Sequence, residues 1–365
     1  MDEYVFQTML TCLGNKRKLV NHIDDIVDKV SKTLKKEKLN IVDGFAGSSV
    51  VSRKLSRRSD NLYTNDLELY SFLMAKCYLI KPTKPQQNRI KEHFDKMNEL
   101  AENGPYEEGI ICKLYAPKNT EDIKVGERCF YTRENALVID TLRKYISDHV
   151  EKDIEVYCLV PLLNKASINA NTAGVFKGFY KDGDIGCFGG KGKNALSRIT
   201  EPIRVTMPIW SDNEFTAHCS NKDINELVRE LPNDIDVMYL DPPYNQHPYG
   251  SNYFMLNVIA KNEEPAEISK VSGIPKDWQK SNYNKRASAV ESMKQLLKDG
   301  LEKSKYVLLS YNNEGIITMD QWTELFKSYE VATHEIRHDA YKGSRNLGSR
   351  SNKVVEIMYL ISNKH

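Results

Sequence analysis

Asp241-Pro242-Pro243-Tyr244 follows directly on the apolar run Asp236-Val237-Met238-Tyr239-Leu240. Such a run reads as a buried strand, and ligands of open α/β sheets bind outside the carboxyl ends of their strands. Two prolines fix the backbone and remove its donors, so this turn offers acceptors: the Asp241 carboxylate and the neighbouring carbonyls. Those groups suit a planar amine, whose two N–H bonds they can accept while Tyr244 stacks on its ring. The structural alternative is an ordinary strand-end turn with Asp241 as a cap.

A second constellation, Asp43-Gly44-Phe45-Ala46-Gly47-Ser48-Ser49, follows the short run Leu39-Asn40-Ile41-Val42. Glycines at a strand-to-helix turn let a ligand approach the backbone, and a serine there can cap the helix that follows. The G-x-x-G spacing departs from the G-x-G-x-x-G of dinucleotide-binding turns, and no G-x-x-x-x-G-K-[ST] is present, which excludes a P-loop NTPase. Asp66 closes the next strand, Asn61 to Asn65, where a carboxylate can hold ribose hydroxyls. Asp223 follows the strand 215–219 and can receive an exocyclic amine. Each acid alone reads equally well as a surface or capping residue. Together they outline a pocket shaped for a nucleoside.

The elements that must position these residues alternate between two periodicities. Leu19, Ile23, Ile26, Val27, Val30 and Leu34 fall at helical spacing and predict a helix over 16–36. A second helix is predicted after Asp66, through Tyr78. Lys81-Pro82-Thr83-Lys84-Pro85 breaks the rhythm, and residues 86–210 are polar, helix-rich at first and glycine-rich between Gly174 and Gly192. A structureless loop of that length is uncommon, so this interval is predicted to be an inserted subdomain. Strands resume at 215–219, 236–240 and 306–310, and two more, 329–336 and 354–361, have no crossover helix between them and predict an antiparallel hairpin. The expected fold is α/β and Rossmann-like, with a domain formed by 1–85 and 211–365 and a subdomain at 86–210.

Composition narrows the classes. The 365 residues carry a net charge of +2, so no partner follows from global charge. The seven cysteines are widely spaced with no C-x-x-C, and the eight histidines lack ligand spacing; neither a disulfide framework nor a metal site is expected. No apolar run approaches the roughly 18 residues of a membrane span, and the first residues lack the pattern of a signal peptide. A cytoplasmic protein without membrane contact is expected.

In this order, the motifs resemble those of the alpha class of DNA adenine-N6 methyltransferases, which contains the DNA adenine methylases and many restriction-system methylases. The resemblance rests on Leu13-Gly14-Asn15-Lys16-Arg17-Lys18-Leu19, Asp43 to Ser49, Asp66, Asp223, and Asp241 to Tyr244. It extends through Asn245 to Tyr253, Ser310-Tyr311-Asn312-Asn313 and Ser349-Arg350-Ser351-Asn352-Lys353. Where many members carry a second glycine, this turn has Ser48-Ser49. The resemblance implies a class I methyltransferase fold binding S-adenosyl-L-methionine, with 86–210 as the target-recognition domain. Asp43, Gly44, Phe45, Gly47 and Ser48 would line the methionine end, with Gly14, Asn15 and Lys16 nearby and Lys16 suited to the carboxylate. Asp66 would hold the ribose and Asp223 the cofactor adenine. Asp241, Pro242, Pro243 and Tyr244 would form the target-base pocket.

It further implies duplex DNA as substrate, an adenine extruded from the stack, a separate cognate endonuclease, and a monomer. Three segments are locally basic, 165–204, 270–305 and 337–353, as phosphate neutralisation requires. Lys177, Lys181, Lys191, Lys193 and Arg198, interleaved with glycines and aromatics, make the first the strongest candidate for base reading. RNA adenine and cytosine N4 are the alternative substrates on the same fold, and a non-catalytic DNA-binding protein with a vestigial pocket is the alternative of another class.

Overall fold

A computed structural model describes residues 3–7, 10, 14, 16–193, 195–339 and 353–364. The chain divides into two compact units, one of residues 16–75, 211–248 and 279–365, the other of 1–15, 76–210 and 249–278.

The first unit is built on a seven-stranded sheet. Its strands are β1 (Leu39–Asp43), β2 (Ser59–Asn65), β3 (Thr216–Ser220), β4 (Ile235–Leu240), β5 (Ser304–Asn312), β6 (Tyr329–Asp339) and β7 (Lys353–Asn363). They lie in the order β3-β2-β1-β4-β5-β7-β6. The first five are parallel, and β7 enters antiparallel between β5 and β6. This is the expected Rossmann-like α/β arrangement with a closing hairpin. All six residues of β4 are buried, as befits a central strand covered on both faces.

Strand residues alternate between faces, which sorts the sheet's chemistry. Val42, Met238, Leu240, Val307, Leu309, Ile357 and Tyr359 share one apolar core with the helices Ile224–Glu230 and Ala289–Lys303. Asp43, Tyr239, Ser310 and Glu356 have the opposite parity. These four polar side chains therefore share the face opposite that core, Asp43 and Tyr239 near the carboxyl ends of β1 and β4.

Several boundaries differ from expectation. The first long helix is Val20–Leu34 rather than 16–36; Lys16 to Leu19 form a lead-in turn in which the Lys16 carbonyl accepts from the Leu19 and Val20 amides. The closing strands are longer than predicted and stay in register out to Asp339 opposite Lys353. Residues 340–352, with most of the third basic segment and Ser349 to Asn352, lie outside the described residues.

The second unit is mainly helical. Thr83 and Gln86 form a capping box at the start of Lys84–Asn103, and Thr132 caps Arg133–His149. Residues 249–278 belong to this unit because the Arg143 guanidinium donates to the Ile259 and Ala260 carbonyls at 2.9 and 3.1 Å. The Tyr115 hydroxyl donates to the Gly273 carbonyl at 2.8 Å. Within the glycine-rich stretch, Lys181–Asp182 and Ile185–Gly186 pair as a short antiparallel hairpin across Gly183. Among the described residues no helix is long and apolar enough to cross a membrane.

Candidate active site

Asp43 ends β1 with its side chain fully buried. One carboxylate oxygen accepts from Ser52 Oγ at 2.5 Å, while the other, Oδ1, has no hydrogen-bond partner. Burial, with the nearby Asp241 and Asp66 charges, pushes this carboxyl up to about 7. The turn that follows is set by two glycines with different tasks. A Cβ on Gly44 would stand 2.8 Å from Leu240 Cδ2, so packing demands glycine there. Gly47 has φ +52° and nothing within 4 Å of a built Cβ, so its conformation demands glycine and the space beside it is open. Ser49 holds the helix-cap position expected of a serine, but with φ 60° and no side-chain cap bond. Its left-handed backbone turns Oγ into the interior, where it has no hydrogen-bond partner.

The β2 loop is tied onto this turn. Asp66 Oδ2 accepts from the Gly47 amide at 2.8 Å and Oδ1 from the Glu68 amide at 2.9 Å. Burial outweighs these bonds and pushes its carboxyl up to about 6. Asn65, which the sequence did not single out, is the staple: its Nδ2 donates to the Gly44 and Lys222 carbonyls at 3.3 and 3.0 Å. Asp223, half-buried, caps the helix Ile224–Glu230 by accepting from the Asn225 amide at 2.8 Å. Tyr283 was likewise not singled out. Its hydroxyl donates to Asn225 Oδ1 at 2.6 Å and its ring meets the edge of Phe45 at 5.3 Å, so Phe45 and the Asp223 loop share one aromatic wall.

At the end of β4, Asp241 faces a lysine. Lys16 Nζ lies 2.8 Å from Asp241 Oδ1 and 3.2 Å from Glu356 Oε1, with Lys16 and Glu356 only 4% and 3% exposed. Ser310 Oγ donates to Glu356 Oε1 at 2.7 Å. Lys16 is thus paired with the Asp241 carboxylate. Burial pushes Asp241 up to about 6, with Lys16 opposing and Glu356 reinforcing that shift. Desolvation works against the Lys16 charge, but Asp241 and Glu356 together raise its affinity for its proton. The sequence signal for Glu356 was a single carboxylate inside the apolar run Val354 to Ile361.

The Asp241 turn is clamped on both sides. The Tyr244 carbonyl accepts from the Ile316 amide at 2.9 Å, and Asn284 Nδ2 donates to the Asn245 carbonyl at 2.7 Å. The half-buried Tyr244 ring packs edge-on against Tyr311 at 6.1 Å, with Lys16 Nζ 5.6 Å from its centroid. Tyr311 in turn sits on Trp322 and its hydroxyl accepts from the Ile317 amide at 3.0 Å. Asp43, Asp66 and Asp241 therefore stand together at the carboxyl ends of β1, β2 and β4, with Phe45 and Tyr244 on the turns beside them. Such an arrangement can hold a polyhydroxylated, amine-bearing ligand beside a planar amine. Gly14, with φ 74°, belongs to the helical unit, and Asn15 lies outside the described residues.

The predicted base-reading residues separate into two groups. Lys177, Lys181, Lys191 and Lys193 are exposed, with Lys181 Nζ 5.1 Å from the centre of the Phe179 ring and Lys191 ion-paired to Asp182 at 3.1 Å. Arg198 is half-buried and its guanidinium donates to the Ile168, Ala170 and Thr172 carbonyls. It holds its own loop together. Among the described residues no cluster of His, Cys, Asp and Glu is arranged to hold a metal ion.

Comparison with known proteins follows the same lines. A model of the D12 class N6 adenine-specific DNA methyltransferases matches residues 13–325. The chain is 28% identical to the type II methyltransferase M.NlaIII of Neisseria lactamica, covering 96% of this chain and 98% of that protein. It is 26% identical to the type II methyltransferase M.CviAII of Paramecium bursaria Chlorella virus 1, covering 96% and 97%. With the modification methylase StsI of Streptococcus sanguinis it shares 28% identity over 96% of this chain but 52% of that protein.

Proposed function

This chain belongs to the D12 class of N6 adenine-specific DNA methyltransferases, and we propose that Asp241, Pro242 and Tyr244 hold the target adenine while the β1 and β2 turns hold S-adenosyl-L-methionine. Family membership selects adenine N6 in DNA over RNA adenine, cytosine N4 and non-catalytic binding. The observation that carries the site reading is the half-buried Asp241 carboxylate near Asp43, itself near Asp66, at the strand ends. The methyl donor fits here on two counts: the orphaned Asp43 Oδ1 calls for a donor such as an ammonium, and the open space at Gly47 admits a ligand against the backbone. Asp43 with Gly44, Phe45, Gly47 and Ser48 would hold the methionine end, Asp66 the ribose hydroxyls and Asp223 the adenine. When bound, this cofactor supplies a methyl group activated by a sulfonium.

The protein's part is alignment and charge. An adenine amino group is a poor nucleophile because its lone pair is delocalised into the ring. Accepting its two N–H bonds, at the Asp241 carboxylate and the Pro242 carbonyl, favours a more tetrahedral nitrogen and fixes its lone pair toward the methyl. Tyr244 replaces stacking lost when the base leaves the duplex, a cost of a few kcal/mol. Asp241 does not remove a proton beforehand, since a neutral arylamine is too weak an acid; the proton leaves the cationic product afterwards.

Lys177, Lys181, Lys191 and Lys193 are proposed to contact DNA from the helical unit, residues 86–210 being the core of the recognition region. The names of the relatives support a modification enzyme; a separate cognate endonuclease, a cytoplasmic location and a monomeric state are proposed with it. The test is methylation-sensitive long-read sequencing of DNA from cells expressing the protein, with Asp241→Ala as control. N6-methyladenine at one motif, lost in the control, is the expected result. Folded protein without modified adenine overturns the site reading.

A further inference from the structure

Nothing in the reading above assigns Glu356, yet it is the second carboxylate on the Lys16 ammonium. We propose that Glu356 is a positioning residue for methyl transfer: by sharing Lys16 with Asp241, it lets the lysine orient the Asp241 carboxylate without cancelling its charge. This inference rests on Asp241 as the group that holds the target amine.

The groups facing Asp241 are Lys16 from the turn before the first long helix, Tyr239 from its own strand, Tyr244 from its own turn, Asp43 from β1 and Glu356 from β7. Lys16 alone would form a neutral pair with Asp241, and a neutral pair is a weak acceptor for an amine that gains positive charge as it is methylated. With Glu356 present, one cation faces two carboxylates, and a unit of negative charge is left at the reacting nitrogen. Its position is enforced. Glu356 is buried, Ser310 Oγ holds Oε1 from the neighbouring strand at 2.7 Å, and Asn312 stands opposite it in register. A buried carboxylate costs stability unless it is paired. A hydrophobic residue would satisfy the fold at this strand position as well, so pairing with Lys16 is what calls for an acid.

The two partners of Lys16 predict opposite responses. Glu356→Gln keeps the shape and removes a negative neighbour, so Asp241 should titrate about one pH unit lower. The acid limb of kcat should move with it, kcat should fall up to about tenfold because the acceptor is weaker, and KM for DNA should stay near its starting value. Lys16→Gln removes the cation, so the same titration should move up by about one unit. Both shifts are read directly, without DNA or cofactor, by carbon-13 NMR of the Asp241 carboxyl, and again in the pH profile of methylation.

Shifts in the same direction, or an unmoved titration in Glu356→Gln, would overturn the proposal. If Glu356→Gln does not fold, Lys16→Gln decides: two carboxylates then face each other without a cation, and an Asp241 titration that does not rise overturns it. An Asp241→Ala enzyme that still methylates would sink the base-holding reading itself. An inert Asp241→Ala with unmoved titrations in the other variants removes only the role of Glu356.

Discussion

An aspartate stands at each end of strand β4, Asp236 buried within it and Asp241 half-buried just after it, and the chain provides for the two in opposite ways. At the amino end, Asp236 receives Lys36 Nζ at 2.8 and 3.0 Å, Lys305 Nζ at 3.0 Å and the Asn40 amide at 3.0 Å. Burial works against its charge, but these donors hold its carboxyl below the usual range. At the carboxyl end, Asp241 must share one lysine with Glu356, and burial wins, pushing it up to about 6. Asp43, one strand away, is pushed up to about 7. An acid that stabilises a fold is saturated with donors. Asp241, sharing one lysine, has fewer donors than Asp236, and its raised proton affinity marks it as a candidate functional group.

The contrast can be broken by exchanging the roles. Asp241→Ala should cost methylation about a thousandfold, the scale of losing a positioned electrostatic group, and leave thermal unfolding close to the parent protein. Asp236→Ala should do the reverse, destabilising the fold by about 1–2 kcal/mol because the Asn40 amide loses its acceptor while the part-exposed Lys36 and Lys305 ammoniums return to water, with methylation per folded molecule unchanged. Urea unfolding and single-turnover methylation on both variants measure the pair. Equal losses of activity would erase the distinction.

pH sharpens the same comparison. A carboxyl whose affinity for protons is higher folded than unfolded favours the folded state at low pH, and that advantage is lost as pH rises through its folded value. Asp43, Asp66 and Asp241, raised to about 7, 6 and 6, should therefore make the ligand-free protein lose stability as pH rises from about 4 to 7. Asp236, shifted downward, contributes stability that is lost only in stronger acid. Asp241→Asn should flatten the slope between pH 4 and 6 in scanning calorimetry, and an unchanged slope would remove Asp241 from the account. With Asp241 as the proposed acceptor, the pH–rate profile of methylation is expected to run the other way, falling below about pH 6 as Asp241 takes up a proton.

The smallest effects are expected among the basic residues of the helical unit. Lys181→Ala and Lys193→Ala should each reduce the salt dependence of DNA binding by about one counterion. Arg198→Ala should lower stability by about 1–2 kcal/mol, because buried carbonyls lose a charged donor, and leave that dependence unchanged. A loss of salt dependence in Arg198→Ala alone would reverse this assignment.

What could be read from the chain beforehand was what local sequence encodes. Leu39 to Val42 and Val237 to Leu240 are apolar runs ended by an acid and a turn, so both the strands and the places of Asp43 and Asp241 were legible. The motifs around them, by resemblance, carried the family. Pairings across long separations were not legible. Lys16 stood out by resemblance as a cofactor-site cation, but its pairing with Asp241, 225 residues on, is made only by the fold. Arg198 reads as part of a basic patch, because composition does not register three backbone carbonyls waiting for a guanidinium. Residues 249–278 follow the Asp241 turn in sequence but are claimed by the helical unit through Arg143 and Tyr115.

The lateral position of β7 bears on how the enzyme comes into being. Among the described strands it is synthesised last, yet it is laid between β5 and β6 rather than at the margin. Lys16 leaves the ribosome 340 residues before Glu356, which at about 5–20 residues per second is an interval of roughly 17 to 70 s. For the last 115 residues of that span the nascent polypeptide holds both the lysine and the aspartate without the acid that balances them, and β6, once made, waits for β7 as its neighbour. Interrupted translation would then leave no partially competent fragment able to mark a chromosome. Catalytic competence would arrive in one step, with the closing strand.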